Sequence, residues 1–260
     1  MPGDAVLPLN PALFLTGVLV FVRLLALFSV APVLGSAQVP FPIRISAALA
    51  MSFVVAPVSP AAPLAIADQP LALGVAVLRE VMVGLAIGFA AQLLFLAVSV
   101  AGEVMDVQMG FSMATLVNPL FNAQVSLLQN MLIIVATLLF VLMNGHHVLI
   151  GVLVRSVELA PPGAGMVGGS AAEGLISVTA RLFVLGLQMA APVMLSLLLT
   201  EVVLGLVGRS APQMNLLMLG FPVKLAVGVT MLGISLPYLL PGYRLMFGPM
   251  LEQALRAVLP

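Results

Sequence analysis

Glu103 and Asp106 stand three residues apart inside a long apolar run, so on a helix they share one face. Ionisable groups in an apolar segment are functional candidates by default, and two carboxylates on one face fit a proton or cation site. The plainer reading is a pair at a helix end near water, or one that meets an arginine of a neighbour. No His or Lys lies nearby in the sequence to complete a relay, which favours the plainer reading. Arg79-Glu80 interrupts the same run, and Glu201 and Arg209 flank a later turn. Buried without partners, such charges are costly. They are therefore expected to fix contacts between helices or subunits rather than to do chemistry.

His146 and His147 are adjacent, which on a helix points them about 100° apart. Zinc sites on a helix prefer i, i+4 spacing with further ligands, and the sequence offers none. An interfacial or capping role is the default for this pair. With no Cys in the chain, disulfides, thiol catalysis and thiolate metal sites are excluded. No nucleophile elbow, phosphate-binding loop or dinucleotide fingerprint occurs. The chain reads as a non-enzyme, with no cofactor and no metal.

The most unusual stretch runs from Met105 to Ser126. Met105, Met109 and Met113 recur every four residues into it, and Met is dense throughout, 16 of 260 residues. Such a stripe is ordinarily core filling; in a segment held inside protein it becomes a deformable seal. Gly110, Asn118 and Pro119 break the helix pattern, although Val107 to Val154 carries no charged residue. Irregular apolar backbone at membrane depth is tolerated only where protein buries it or where it lines a cavity. A pore, a plug or a tight subunit joint all fit that constraint.

The elements that must position these residues are apolar helices. Hydrophobic residues make up 62% of the chain and charged ones 7%, with nine basic and nine acidic side chains. A soluble domain carries about 25% charged residues, and the mean hydropathy is +1.26. The balance leaves no basic patch for nucleic acid. The first ten residues hold no basic residue, so a cleaved signal peptide is not expected. Trp is absent and Tyr occurs twice, so the aromatic belt of a lipid-facing protein is missing. That predicts a protein not facing lipid along its whole length.

Apolar segments are expected at Asn10–Ala31, with Arg23 inside it, and at Ile43–Ser59, Leu71–Gln108, Ser126–Leu159, Glu173–Gly208 and Asn215–Leu240. The third is long enough, at about 1.5 Å per residue, to overreach a hydrocarbon core of about 30 Å. It must kink, protrude or lie within a larger assembly. Gly84-x-x-x-Gly88 followed by Ala90-Ala91 allows close approach of another helix without naming it. Ala160–Ala172 reads as a flexible loop. Pro222, Pro237 and Pro241 disturb the sixth segment, and a weakly amphipathic tail, Leu245–Leu259, follows. Under six spans basic residues fall on both sides, so a conventional membrane orientation is not strongly encoded.

Six blocks in order carry a resemblance. They are Arg23 with Ala-Pro-Val-Leu-Gly at 31–35 and Val-Pro-Phe-Pro-Ile-Arg at 39–44; Arg-Glu-Val-Met-Val-Gly-Leu-Ala-Ile-Gly-Phe at 79–89; Gly-Phe-Ser-Met-Ala-Thr-Leu-Val-Asn-Pro at 110–119; Asn-Gly-His-His at 144–147; Ala-Pro-Gln-Met-Asn at 211–215; and Gly-Phe-Pro-Val-Lys at 220–224. With these the chain resembles the FliR family of flagellar biosynthetic proteins, the R subunits of the type III export gate. The Met-Gly-Phe-Ser-Met form suits the flagellar branch better than the virulence injectisome branch. Asn118 departs from the family, which often has Asp there.

The resemblance implies an all-α fold of membrane-derived helical hairpins with about six long, broken apolar helices. A P-like part (1–159, with a plug loop at 106–125) would be fused to a Q-like hairpin and tail (173–260). It implies a core subunit of the gate for unfolded flagellar substrates. FliP-type and FliQ-type subunits would be its partners, with FlhB-type and FlhA-type export proteins nearby. The setting would be the bacterial inner membrane at the flagellar basal body, with much of the assembly on the periplasmic side. The family's plug maps onto Gly110, Phe111, Ser112, Met113, Ala114, Thr115, Leu116 and Val117. Gasket or inter-subunit contacts would fall on Met105, Met109, Glu103, Asp106, Arg79, Glu80, Glu201 and Arg209. An ion-coupled transporter built on Glu103 and Asp106 is the rival from another class, and a plain membrane scaffold the third.

Overall fold

Asn10 opens the first helix: its side-chain oxygen accepts the Ala12 N–H at 3.1 Å, and Pro11 sits at the first helical position. That is a capping residue followed by a residue whose missing donor costs nothing there. A computed structural model describes residues 10–111, 126–163, 171–213 and 215–258. The helices are α1 (Pro11–Val30), α2 (Phe41–Val55), α3 (Pro70–Met109), α4 (Leu127–Leu142), α5 (Gly145–Leu159), α6 (Ala171–Ser210) and α7 (Leu216–Val258), with 3₁₀ turns at Ala56–Val58 and Leu64–Ile66. No strand occurs among the described residues. Among the described residues, five helices are long and apolar enough to cross a membrane, or six if α4 and α5 count as one broken span. The all-α, membrane-type expectation holds.

Two boundaries differ from the sequence reading. The fourth apolar segment is two helices, interrupted where Asn144 adopts φ +54 before Gly145. Asn is among the few side chains that tolerate this left-handed geometry, and Asn-Gly is a turn signal. The expected tail is instead the end of α7, which continues through Pro222, Pro237 and Pro241 to Val258. A proline removes one helical hydrogen bond, and apolar helices tolerate the loss where neighbours or local adjustment satisfy the freed carbonyl.

The chain forms two compact units interleaved along the sequence. The first holds Met1–Gln92, Gly145–Val178 and Pro249–Pro260. Here the small-residue motif finds its partner. A methyl group on Gly84 would overlap the Arg23 carbonyl oxygen and lie 2.9 Å from the Ala26 side chain; one on Gly88 would lie 2.8 Å from the Leu27 carbonyl oxygen. Only glycine lets the α3 backbone come this close to α1. Thr16 of α1 accepts the buried Ala62 N–H at 2.9 Å and so pins the proline-rich stretch before α3. Val33, a β-branched residue at φ +67, marks strain in the turn after α1. Arg44 holds that turn, its guanidinium donating to the carbonyls of Ser36 at 2.6 Å and Val39 at 3.0 Å.

The second unit holds Leu93–Asn144 and Thr179–Gly248. Phe140 stands between Phe95 and Phe247, edge-on to both, with ring centroids 5.8 and 5.4 Å away. Such T-shaped pairs add to the apolar burial of the rings. Gly102 meets the backbone of Gln129, and Gly186 faces the Ala97 carbonyl, each leaving no room for a methyl group. Outward faces of the last two helices remain apolar: only 28% of the spanning window in α6 and 22% of that in α7 is buried. Leu195, Leu199, Val202, Val203, Leu206 and Ile234 are exposed there.

Candidate functional site

Two polar constellations sit in this apolar frame, one in each unit. In the first, Arg23 and Glu80 are buried, with side chains 0% and 2% exposed. Arg23 Nε donates to Glu80 Oε2 at 2.6 Å, one terminal nitrogen donates to Ser156 Oγ at 3.0 Å and the other to the Ala160 carbonyl at 2.9 Å. The second Glu80 oxygen accepts the Gly163 N–H at 3.0 Å. The Ser156 hydroxyl in turn donates to the Leu153 carbonyl at 2.7 Å. One ion pair thus ties together α1, α3, α5 and the turn after α5. Gly163 supplies that turn at φ +79. A buried ion pair is tolerable only when its remaining donors and acceptors are met, as they are here. Its arrangement is that of a clasp, in which the buried charges are bound to protein groups on every element named.

The second constellation surrounds the end of α3. Gly110, at φ +91, donates to the Val107 carbonyl at 3.1 Å, and the Phe111 N–H donates to the Asp106 carbonyl at 3.1 Å. These two bonds are the Schellman ending, which requires a left-handed residue and therefore favours glycine. Asp106 is buried, and its carboxylate accepts the Leu128 N–H at 3.0 Å and the Gln129 N–H at 3.1 Å. Both are first-turn donors of α4 that have no intrahelical partner. Ser126, at the capping position itself, makes no side-chain cap bond. A carboxylate at the negative end of α3 would be unfavourable alone; facing the positive end of α4 offsets this. Met105 and Met109 are fully buried, and Met109 fills the space in front of Gly228 of α7, where a methyl group would collide with its thioether. Phe111 meets Phe221 of α7 edge-on, ring centroids 6.0 Å apart.

The structure separates Glu103 from Asp106: Glu103 is exposed while Asp106 is buried and fully engaged. Of the plug candidates, Gly110 and Phe111 form the end of α3; Ser112, Met113, Ala114, Thr115, Leu116 and Val117 lie outside the described residues. Arg79 is half-buried beside buried Glu80. Glu201 pairs with Lys224 at 2.5 Å, joining α6 to α7, and Arg209 is exposed in the last turn of α6. The imidazoles of His146 and His147 lie 4.3 Å apart, and no group of three metal-ligating side chains occurs among the described residues. Sequence reasoning located Arg23 without giving it a role and passed over Ser156, Gly163 and Gln129. A lone arginine in an apolar helix carried the signal, since such a charge requires a partner.

The family model described as bacterial export proteins, family 1, matches residues 14–250. The chain is 35% identical over 223 residues to the flagellar biosynthetic protein FliR of Escherichia coli (strain K12), covering 84% of this chain and 83% of that protein. It is 33% identical over 225 residues to the protein of the same name from Bacillus subtilis (strain 168), covering 85% of each. The chain belongs to the bacterial export proteins, family 1, among the FliR-type flagellar biosynthetic proteins.

Proposed function

We propose that this chain is a non-enzymatic core subunit of the flagellar type III export gate, helping to form and to seal the conduit for unfolded flagellar substrates. Family membership makes it a membrane component of the flagellar export apparatus; the sealing role is the finer step. One observation carries that step. Gly110 stops α3 at a left-handed turn, and Asp106 starts α4, so the connection between two apolar helices is anchored on both sides. Phe111, Met113 and Leu116 are assigned to closing the pore. The exposed apolar faces of α6 and α7 suit other helices as well as lipid, in keeping with FliP-type and FliQ-type partners, and FlhB-type and FlhA-type proteins nearby. A P-like part before residue 160, a Q-like hairpin after residue 172 and a largely periplasmic position complete the reading.

Asp106 lends little support to the transporter alternative, since backbone amides occupy both of its oxygens. Deleting residues 110–117 from the complete gate in cells should let small ions or molecules leak across the inner membrane. A gate that stays tight after the deletion refutes the sealing role.

A further inference from the structure

We propose that Asp106 is a positioning residue for the seal: it ties the first turn of α4 to the last turn of α3 and holds both ends of the connection between them at one base. The inference rests on the sealing role above. Asp106 serves two helices at once. Its main-chain carbonyl accepts the closing bond of α3 from Phe111, and its carboxylate accepts the opening donors of α4 from Leu128 and Gln129. An ordinary cap would come from Ser126, immediately before α4, but the Ser126 side chain makes no such bond. The cap comes instead from 22 residues upstream. A local cap starts a helix; a remote one also fixes where that helix starts relative to another.

A second attachment prevents rotation about the first. Gly102, one turn before Asp106, meets the Gln129 backbone with no room for a methyl group, and the Gln129 side-chain amide donates to Ser99 at 2.5 Å. Two points of contact along α3 therefore grip the start of α4. Phe111 against Phe221 and Met109 against Gly228 brace the same turn from α7. Glu103 lies outside this arrangement and is exposed.

Capping and positioning can be separated. Asp106→Asn leaves one carbonyl oxygen for two donors and turns an amide NH₂ toward the other backbone N–H. Adding Ser126→Asp supplies a local cap to α4 without restoring the tie to α3. The chain contains no Cys, so an introduced pair, Val107→Cys with Leu127→Cys, reports only on these two exposed sites. The variants are measured in the complete gate in cells, by bismaleimide cross-linking yield, chain abundance and inner-membrane leak of a small dye.

Asp106→Asn/Ser126→Asp should restore abundance yet keep the cross-link yield down, roughly tenfold for one lost charge-assisted bond, and leak. If the added cap restores both the cross-link and a tight membrane, Asp106 is only a cap and the proposal is overturned. If deletion of 110–117 leaks while Asp106→Asn/Ser126→Asp stays tight, the sealing role stands and the proposal fails. If the deletion itself stays tight, the sealing role fails; the tie is then decided by the cross-link alone, loss upholding it and retention overturning it.

Discussion

Replacing Glu80 by glutamine strips the countercharge from an arginine with no route to water. Arg23 is 0% exposed and Glu80 2% exposed at the side chain, so solvent screens neither. Breaking a buried pair by neutralising one partner costs about 3–5 kcal/mol. Arg23→Met should cost a similar amount by leaving the Glu80 carboxylate alone. The double change Arg23→Met/Glu80→Leu behaves differently. Exchange of a buried pair for apolar side chains is often neutral or favourable by about 1–4 kcal/mol. Here the Ala160 carbonyl and the Gly163 N–H lose their partners, at about 1–3 kcal/mol each, while Ser156 keeps its bond to Leu153. The double variant should thus cost well under the sum of the single costs, with a coupling of about 3 kcal/mol or more at the middle of these ranges. Thermal denaturation of the purified chain in detergent reads this out. Each single variant should melt roughly 10 °C lower, at about 2–4 °C per kcal/mol for a chain of this size. The double should recover at least half of the summed loss. Additive losses, or a double variant less stable than both singles, would refute the clasp as a coupled unit.

Gly84→Ala should destabilise by about 1–3 kcal/mol through overpacking against α1, whereas Gly74→Ala, with open space before it, should be neutral or gain about 0.5–1 kcal/mol; the same melting assay compares them. Gly110→Ala should cost about 1–2 kcal/mol for its left-handed backbone, seen as faster amide hydrogen exchange at Phe111 relative to the middle of α3. Lys224→Met removes a partly exposed ion pair and should shift stability by less than ~1 kcal/mol. A larger shift would mean that the α6–α7 contact depends on this pair rather than on its apolar packing.

Much of the helical plan was legible because apolar length is a local property. Segments of about 20 apolar residues specify membrane-type helices whatever surrounds them, and Gly110 announced the end of α3. Breaks were harder to read. Asn144 and Pro237 are both breakers by type, yet the chain turns at the first and continues helically through the second. The difference lies in whether neighbours satisfy the freed backbone groups, which no local rule contains.

By itself the sequence determined the class of protein, the family blocks and the residues that required explanation: the isolated charges, the methionine stripe and the broken apolar stretch. Tertiary structure decided their partners. Arg23 and Glu80 are 57 residues apart, and Arg23 and Ser156 are 133 apart. A buried charge states that it needs a counterpart; only packing selects which one. Asp106 makes the same point. Read along the chain it pairs with Glu103 as a candidate acid site; in the fold its carboxylate faces the amides of α4, because a helix start offers unpaired donors that α3 brings within reach.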